Sequence, residues 1–226
     1  MTQPLIVFDL DGTLVETAPD LINALNTIFR SEGIPEVPPA EARTMIGGGL
    51  RPFIEKGLQA EGMSCRPEDI DRLFSEMVAH YSDHIADLSH PFPGVEAALD
   101  KLEAEGCRFA VCTNKLEGLS VQLLTALKLN QRFAAICGPD TFGIAKPDPR
   151  MLLRTIEAAG GHPQRAIMVG DSNTDITTAR AASIPVVAVT FGYTDAPVET
   201  FGPDVVIDHF DHLPGVIERL LQPAAI

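Results

Sequence analysis

The sequence predicts an α/β protein in which a doubly wound parallel sheet carries a helical insertion directly after its first strand. Three observations support this prediction. Residues 5–8 form a short apolar run near the amino terminus, residues 16–90 show only helical periodicity, and from residue 91 onward short apolar runs alternate with helix-like segments. Alternation of this kind is typical of βαβ units, which build a parallel sheet covered by helices.

The first apolar run ends in two carboxylates. Residues 5–8 lack the polar alternation of a half-exposed strand, so we expect a strand that is covered on both faces. Because side chains alternate along an extended backbone, Asp9 and Asp11 should point roughly the same way, with Leu10 turned away from them. Gly12 tolerates the backbone angles at which a chain leaves a strand. Open α/β sheets bind their ligands at such strand ends, although an ordinary Asp-Gly turn is the alternative.

The segment after this strand is predicted to be a helical cap of residues 16–90, inserted into a core of residues 1–15 and 91–226. Apolar residues recur at spacings of three and four in three of its segments, which predicts helices over residues 19–30, 49–60 and 67–84. The hinges of the cap should lie in residues 14–18 and 89–94, since the second range is rich in proline and ends in glycine.

The remaining strands of the sheet follow the cap. Five apolar runs predict them, over residues 107–112, 133–137, 165–170, 185–190 and 204–207. Thr113-Asn114 follows the first of these runs, and the third ends in Gly170 and is followed by Asp171 and Asp175. Lys146 lies between an apolar segment and Pro-Asp-Pro. Each of these has an ordinary alternative when taken alone, namely a helix cap for the polar residues and a surface charge for the lysine.

Together, the four segments resemble the four motifs of the haloacid dehalogenase superfamily. The matching residues are Asp9-x-Asp11-x-Thr13 for the first motif, Thr113 for the second, Lys146 for the third, and Gly170-Asp171-x-x-x-Asp175 for the fourth. The motifs span residues 9–175 in the family's order, and with the interposed segment the resemblance covers nearly the whole chain. It implies a Rossmann-like core with a helical cap of the C1 type.

The resemblance implies a Mg²⁺-dependent phosphatase that works through an aspartyl phosphate. It makes Asp9 the nucleophile, Asp11 the proton donor and acceptor, and Lys146 a cation beside Asp9 and the phosphate. Further roles follow for the phosphate ligands Thr113, Asn114 and Lys146, for the metal ligands Asp9, Asp171 and the Asp11 carbonyl, and for Asp175, which would support Lys146 or a metal-bound water.

The residue types suit this chemistry. A carboxylate that attacks a phosphate dianion meets a repulsion of roughly 4 kcal/mol per pair of unit charges at ~4 Å, with an effective dielectric constant of ~20. Cations must offset that repulsion. Oxygen ligands favour Mg²⁺, since no histidine and no cysteine lies within the four motifs.

A glycine-rich segment of the cap is predicted to lie nearest to the substrate. Gly47, Gly48 and Gly49 precede a predicted helix and leave amides free for an anion, and Arg51 adds donors in the first helical turn. The alternative is a flexible linker with Arg51 in solvent. Bacterial phosphoglycolate phosphatases carry a similar loop, so the resemblance implies 2-phosphoglycolate, hydrolysed to glycolate and phosphate, as the substrate.

Other activities of the same superfamily are alternatives. A sugar-phosphate mutase resembling β-phosphoglucomutase shares the cap type and all four motifs, and a non-catalytic module that binds a phosphometabolite could keep the fold without turnover. Dehalogenation is disfavoured because a halide leaving group needs no proton from Asp11. Phosphonate cleavage would need a cap lysine, for which Lys56 is the candidate, and Asp11 again argues against it.

Composition limits the partners. The chain of 226 residues is 45% hydrophobic, and its 31 acidic and 17 basic side chains give a net charge of −14. This charge argues against nucleic-acid and anionic-membrane surfaces. The sequence shows no signal-like or membrane-spanning apolar stretch, and Cys65, Cys107, Cys112 and Cys137 lack metal-binding spacing and should be reduced thiols. We expect a cytoplasmic monomer or homodimer that binds a small phosphorylated metabolite.

Overall fold

The computed structural model describes residues 3–64, 66–194 and 196–222. In chain order, its strands and helices are β1 (Leu5–Phe8), β2 (Val15–Glu16), α1 (Ala18–Ser31), α2 (Pro39–Met45), α3 (Leu50–Ala60), α4 (Pro67–Asp83), β3 (His90–Pro91), α5 (Val95–Ala104), β4 (Arg108–Cys112), α6 (Glu117–Ala126), β5 (Phe133–Cys137), α7 (Pro139–Phe142), α8 (Pro149–Ala158), β6 (Ala166–Gly170), α9 (Asn173–Ala181), β7 (Val186–Val189), β8 (Val205–Ile207) and α10 (Leu213–Leu221). From α5 onward helices and strands mostly alternate, as the pattern of apolar runs predicts; the exceptions are α7 and α8, which are consecutive, and β7 and β8, which have no α-helix between them.

The main sheet has six parallel strands in the order β5-β4-β1-β6-β7-β8. Strand β1 lies inside the sheet and is covered on both faces. Its alternate residues enter two apolar clusters: Ile6 and Phe8 pack on the side of the cap helices, α5 and α10, and Leu5 and Val7 pack with α8 and α9. Burial on both faces explains why this strand has no polar alternation. The predicted α/β fold class is confirmed.

Helices α1 to α4 follow the first strand and form the predicted helical insertion. Helix α4 packs on both α1 and α3, and α2 lies between α1 and α3. These helices share one apolar cluster with a face of the sheet, to which Phe29, Phe53 and Tyr81 contribute fully buried rings. The insertion therefore covers one end of the core closely.

The insertion and its connections to the core contain three short elements that the sequence patterns did not predict. Helix α2 has only seven residues, of which Ala42 and Met45 are buried, so its apolar pattern does not repeat. Strands β2 and β3 have two residues each, which is too short for an alternation to be visible.

Strands β2 and β3 lie within the two ranges predicted as hinges. They pair antiparallel, with Val15 opposite Pro91 and Glu16 opposite His90. The buried carboxylate of Asp20 accepts hydrogen bonds from the backbone amides of the other chain connection, at Leu88 and Ser89, and from the Ser89 hydroxyl, at 2.6–3.1 Å. The two connections between core and insertion are thus fixed side by side. The division into two domains stays a prediction.

Two further expectations concern membranes and cysteines. Within the described ranges, no helix combines the length and the apolar character that crossing a bilayer requires. Cys107, Cys112 and Cys137 are buried free thiols, and burial raises the pKa of Cys112 to about 12. Cys65 lies outside the described residues.

Candidate active site

Three predicted site residues directly follow neighbouring strands of the sheet. Asp9 comes after β1, Thr113 after β4 and Asp171 after β6. Strands β4 and β6, on either side of β1, each continue one residue beyond the level of Phe8, the last residue of β1. The parallel register therefore brings the three side chains to the same carboxyl edge of the sheet, where the sequence predicts a site.

A buried cluster of carboxylates occupies this edge. One carboxylate oxygen from each of Asp9, Asp171 and Asp175 lies within 4.8 Å of the others, and all three residues are buried. The Lys146 ammonium donates a 2.6 Å hydrogen bond to Asp175 Oδ1 and lies 2.9 Å from Asp9 Oδ1. Within the part of the chain that the structure describes, Asp171 has no cationic side chain as a partner. The cluster thus holds more negative charge than Lys146 can neutralise.

The carboxylate of Asp171 is fixed by two donors and one glycine. The Thr13 hydroxyl donates to Oδ1 at 2.9 Å, and the Tyr193 amide donates to Oδ2 at 2.8 Å. Gly12 has a φ of +83°, and a Cβ at this position would lie 2.6 Å from Asp171 Oδ2. The Asp-Gly-Thr sequence therefore places a residue without a side chain against one oxygen and a hydroxyl against the other.

Asp175 and Asn114 hold Lys146 from two sides. Both oxygens of Asp175 have partners, since Oδ1 accepts from Lys146 and Oδ2 accepts from the Ser172 amide and hydroxyl at 3.1 and 2.6 Å. Asn114 Oδ1 accepts from the Lys146 amide at 2.9 Å, and Nδ2 donates to the Lys146 carbonyl at 3.2 Å and to the Gly47 carbonyl at 3.4 Å. The Asn114 side chain therefore has backbone partners in place of a free amide for phosphate, and it links Lys146 to the cap.

The structure adds a buried lysine that the sequence analysis missed. Lys115 Nζ donates to Asp11 Oδ1 and Oδ2 at 3.0 and 3.2 Å and to the Tyr81 hydroxyl at 2.9 Å. Tyr81 belongs to α4 of the cap, and its ring lies 4.4 Å from the same ammonium. The sequence does show a lysine two residues after Thr113, close to the end of β4. Nothing in this spacing indicates that its partner, Asp11, lies 104 residues away in the chain.

Tyr193 is the second residue that the sequence analysis missed. Its hydroxyl accepts from the amides of Thr17 and Ala18 at 2.6 and 3.0 Å and donates to Glu16 at 2.7 Å. Arg43 of α2 completes this group by donating two hydrogen bonds to Glu16. The loop that holds Asp171 is thus tied to the first hinge and to the cap. Both tyrosines of the chain are buried beside the site.

Burial and charge shift the pKa values of the cluster. Burial raises the pKa of Asp9 to about 6. The Lys146 ammonium acts in the opposite direction, and the Asp175 carboxylate adds to the increase. Burial and the carboxylates of Asp175 and Asp9 raise the pKa of Asp171 to about 8. Burial alone would lower the pKa of both lysines. The facing carboxylates outweigh it, so the pKa of Lys146 is raised and that of Lys115 reaches about 12. Both lysines are therefore cations at neutral pH.

The cluster has the properties of a divalent-cation site. Buried Asp9 Oδ1 lies near Lys146 but accepts no aligned hydrogen bond, and the donors of the cluster are oxygens alone. When all are ionised, four carboxylates (Asp9, Asp11, Asp171 and Asp175) face two ammonium groups (Lys115 and Lys146). A hard cation with a double charge fits both the oxygen donors and the excess of two negative charges.

The cap and the core enclose a small cleft, which Asp9, Asp11 and Lys115 of this group line and which Lys146, Asp171 and Asp175 do not. Its polar wall consists of Asp9, Asp11, Thr113, Asn114 and Lys115, and its cap wall consists of Leu21, Ile46, Gly47, Gly49, Leu50 and Phe53. At Gly49, which has a φ of +92°, a Cβ would lie 3.0 Å from the Asn114 carbonyl oxygen. The structure thus brings Gly47 and Gly49 to the cleft as expected, whereas Gly48 does not line it.

Arg51 does not line the cleft. Its guanidinium pairs with Asp71 of α4 and lies 5.6 Å from the Phe74 ring, and the side chain is 44% exposed. The expectation that Arg51 supplies donors to the substrate is not met by this arrangement. The reason is the helix face: Leu50 and Phe53 of α3 point into the cleft, and Arg51 lies on the side that packs against α4.

Comparison with known proteins agrees with the geometry. The family model described as haloacid dehalogenase-like hydrolase matches residues 6–189. The chain belongs to this family. A phosphoglycolate phosphatase of Mesorhizobium japonicum is 49% identical over 99% of both chains, and one of Agrobacterium fabrum is 45% identical over 98% of this chain and 96% of its own. With such relatives, this haloacid dehalogenase-like protein is a phosphoric monoester hydrolase.

A solved structure of the family has the same fold over the same extent. It is titled a predicted phosphoglycolate phosphatase from Haemophilus somnus, with a TM-score of 0.87 and 28% identity over 96% of this chain and 98% of that one. The similarity includes both the sheet and the helical insertion, because it covers nearly all of both chains.

The raised pKa values make the stability of the metal-free protein depend on pH. Asp9 and Asp171 bind protons more tightly when folded than at their ordinary value of 3.8. The contribution of these two groups to stability is therefore greatest at low pH. It decreases as the pH rises above 3.8, and it is lost once the pH has passed about 6 for Asp9 and about 8 for Asp171. Asp171→Asn should raise the Tm in EDTA at about pH 8, because it removes one buried charge while Thr13 can accept from the new amide.

The measurement is the Tm of both proteins in EDTA from about pH 5 to about pH 9. Asp208→Asn is the matched control, since it removes the same charge from a side chain that is 75% exposed. A wild-type Tm that stays constant or increases from about pH 6 to about pH 8, or an Asp171→Asn variant that melts earlier than the wild type there, would contradict this account of the cluster.

Proposed function

We propose that this protein is a Mg²⁺-dependent phosphatase that hydrolyses 2-phosphoglycolate to glycolate and phosphate through an aspartyl phosphate on Asp9. The observation that carries the proposal is the arrangement at the floor of the cleft. Asp9 and Asp11 both line it, a buried ammonium lies 2.9 Å from Asp9, and a second ammonium binds Asp11. The full-length relatives named phosphoglycolate phosphatase support the choice of substrate.

Asp9, Asp171 and the backbone carbonyl of Asp11 would hold Mg²⁺ in this proposal. The ion supplies positive charge against the phosphate oxygens when it is bound. Asp175 has both oxygens engaged by Lys146 and Ser172, which supports a role in holding the lysine. Asn114 also holds this lysine, through hydrogen bonds between its side chain and the backbone amide and carbonyl of Lys146.

In the first step, a carboxylate oxygen of Asp9 attacks phosphorus and the bond to the alkoxide oxygen of the substrate breaks. Lys146 offsets the repulsion between this carboxylate and the phosphate, since its ammonium lies beside Asp9 in a buried site. The Thr113 hydroxyl, at the end of the neighbouring strand, donates to a phosphate oxygen. Asp9 then carries the phosphoryl group as a mixed anhydride.

Asp11 moves the protons of both steps. It protonates the leaving alkoxide and then takes a proton from the water that attacks the aspartyl phosphate. Its carboxylate lines the cleft and is 12% exposed, so it can reach a substrate oxygen while Lys115 orients it. A purely binding module would have no need of an acid and base at this position.

The cleft favours a small substrate. Leu21, Ile46, Leu50 and Phe53 form an apolar cap wall directly opposite the carboxylates. The cleft is small, so it suits a compact two-carbon acid better than a hexose phosphate. This supports 2-phosphoglycolate over the sugar-phosphate mutase alternative.

The proposed activity is tested by phosphate release from a panel of small phosphomonoesters, with Mg²⁺ and without any sugar-phosphate acceptor. We expect 2-phosphoglycolate to give the highest kcat/KM, and EDTA to remove the activity until Mg²⁺ is added back. A mutase would instead pass the phosphoryl group to a sugar hydroxyl and release phosphate slowly. Absence of release from every member, or full activity in EDTA, would overturn the proposal.

A further inference from the structure

We propose that Lys115 binds the carboxylate of the substrate and thereby selects small phosphomonoesters that carry a carboxylate. This inference rests on the proposed function and assigns to Lys115 the role that the sequence analysis gave to Arg51. It is carried by the position of a buried ammonium in the wall of the cleft, with a hydroxyl from the cap and the Asp11 carboxylate as its partners.

Lys115 is the basic side chain of the cleft. Among the cleft-lining residues that the structure describes, no other has a cationic side chain. Lys146 is directed at Asp9 and Asp175, where it faces the reacting phosphate in the proposed mechanism. Arg51 is paired with Asp71 outside the cleft. The two buried ammonium groups thus have different partners: Lys146 lies beside the nucleophile Asp9, and Lys115 binds Asp11.

A substrate carboxylate needs such a partner. The cap wall opposite Lys115 is formed by the side chains of Leu21, Ile46, Leu50 and Phe53. An anion enclosed by apolar groups without a counter-charge carries a large desolvation penalty. The three N–H donors of the ammonium make two bonds to the Asp11 carboxylate and one to the Tyr81 hydroxyl. Since one bond to Asp11 is enough to orient that carboxylate, a substrate carboxylate oxygen would replace the other.

Tyr81 makes this cation a point of contact between cap and core. Its hydroxyl accepts from Lys115 at 2.9 Å, and the tyrosine is fully buried on α4. A residue of the cap therefore helps to fix the position of the ammonium in the cleft. Tyr81→Phe removes this one hydrogen bond and keeps the ring, so it tests the position of the ammonium without removing its charge.

The test compares two pairs of compounds that differ in the carboxylate. The substrates are 2-phosphoglycolate and ethyl phosphate, measured by kcat/KM. The inhibitors are 3-phosphonopropanoate and propylphosphonate, measured by their inhibition constants, which report binding without turnover. We expect the wild type to prefer the carboxylated member of each pair by about 100-fold, the range that a buried charge pair supports.

Lys115→Met should lower kcat/KM for 2-phosphoglycolate by about 100-fold more than for ethyl phosphate, so that the preference is lost in both pairs. Ethyl phosphate hydrolysis should also decrease, because Asp11 loses its partner. Lys115→Arg, which keeps the charge, should retain part of the preference even if Lys115→Met folds poorly. Tyr81→Phe should reduce the preference by less than about tenfold.

The outcomes separate this inference from the proposed function. If the wild type hydrolyses 2-phosphoglycolate no better than ethyl phosphate, the proposed substrate is wrong and the inference fails with it. If the wild type discriminates but Lys115→Met discriminates equally, only the role of Lys115 is overturned. Replacing a merely structural lysine would lower kcat/KM for both substrates by the same factor.

Discussion

Replacing Asp9 with asparagine is expected to reduce phosphate release from 2-phosphoglycolate by at least about 10⁴-fold, since the neutral amide cannot form the covalent intermediate. The fold should persist, because asparagine has nearly the same shape. The variant also removes one charge from a buried cluster in which the pKa of Asp9 is already raised to about 6. The metal-free protein should therefore melt at the wild-type temperature or above it.

The experiment measures steady-state phosphate release and the Tm of Asp9→Asn beside Asp208→Asn. The control makes the same substitution at an exposed carboxylate and should keep wild-type activity. Preparations must be free of wild-type enzyme, since a trace of it would mimic residual turnover. Activity of Asp9→Asn within about tenfold of the wild type, with the fold intact, would show that another group attacks phosphorus.

Lys146→Met is expected to have the second-largest effect, on stability as well as on activity. It leaves the buried carboxylates of Asp9 and Asp175 without the ammonium that lies 2.9 and 2.6 Å from them. Removing one partner of a buried ion pair costs roughly 3–5 kcal/mol of the free energy of unfolding. Phosphate release should decrease by at least about 10³-fold, because the repulsion between Asp9 and the phosphate is no longer offset.

Denaturant unfolding in EDTA measures this loss, and a double variant identifies its cause. Lys146→Met with Asp175→Asn removes the cation and one of its anions together, so most of the lost stability should return while the activity stays low. Lys101→Met, at an exposed position on α5, is the control for replacing a lysine. A Lys146→Met variant as stable as this control, or a double variant that is less stable than Lys146→Met, would contradict the role assigned to the ion pair.

The position of the candidate site could be predicted from the sequence because it depends on strand ends. Apolar runs that end at Phe8, Cys112 and Gly170 determine where Asp9, Thr113 and Asp171 emerge, and a parallel sheet places such ends at one edge. The rule needs no knowledge of the helices. It fails for contacts that the packing of distant elements creates.

Lys115 and Tyr193 illustrate that failure. Lys115 contacts Asp11 and the cap residue Tyr81, which are 104 and 34 residues away in the chain. Tyr193 contacts Asp171 through its amide and the first hinge through its hydroxyl. Neither set of contacts follows from a period or a motif in the sequence. Tyr81, on a helix, is most simply interpreted as part of the apolar core.

Arg51 shows a different failure. The sequence pattern predicted the helix correctly, but not which of its faces points into the cleft. The glycines and the helix start were predicted, and α3 begins at Leu50. The helix can present either Arg51 or Leu50 and Phe53 to the cleft. Packing against α4 and pairing with Asp71 decide in favour of the apolar side chains, and the sequence alone does not contain that information.

The stereochemical course at phosphorus tests the central claim, that Asp9 carries the phosphoryl group, more directly than any variant. A substrate whose transferred phosphorus is chiral by oxygen isotopes and sulfur is hydrolysed by the wild-type enzyme in isotopically labelled water, and the configuration of the released thiophosphate is determined. Two in-line displacements, first by Asp9 and then by water, predict retention. Inversion would mean that water attacks the substrate directly, and it would contradict the account whether or not an intermediate accumulates.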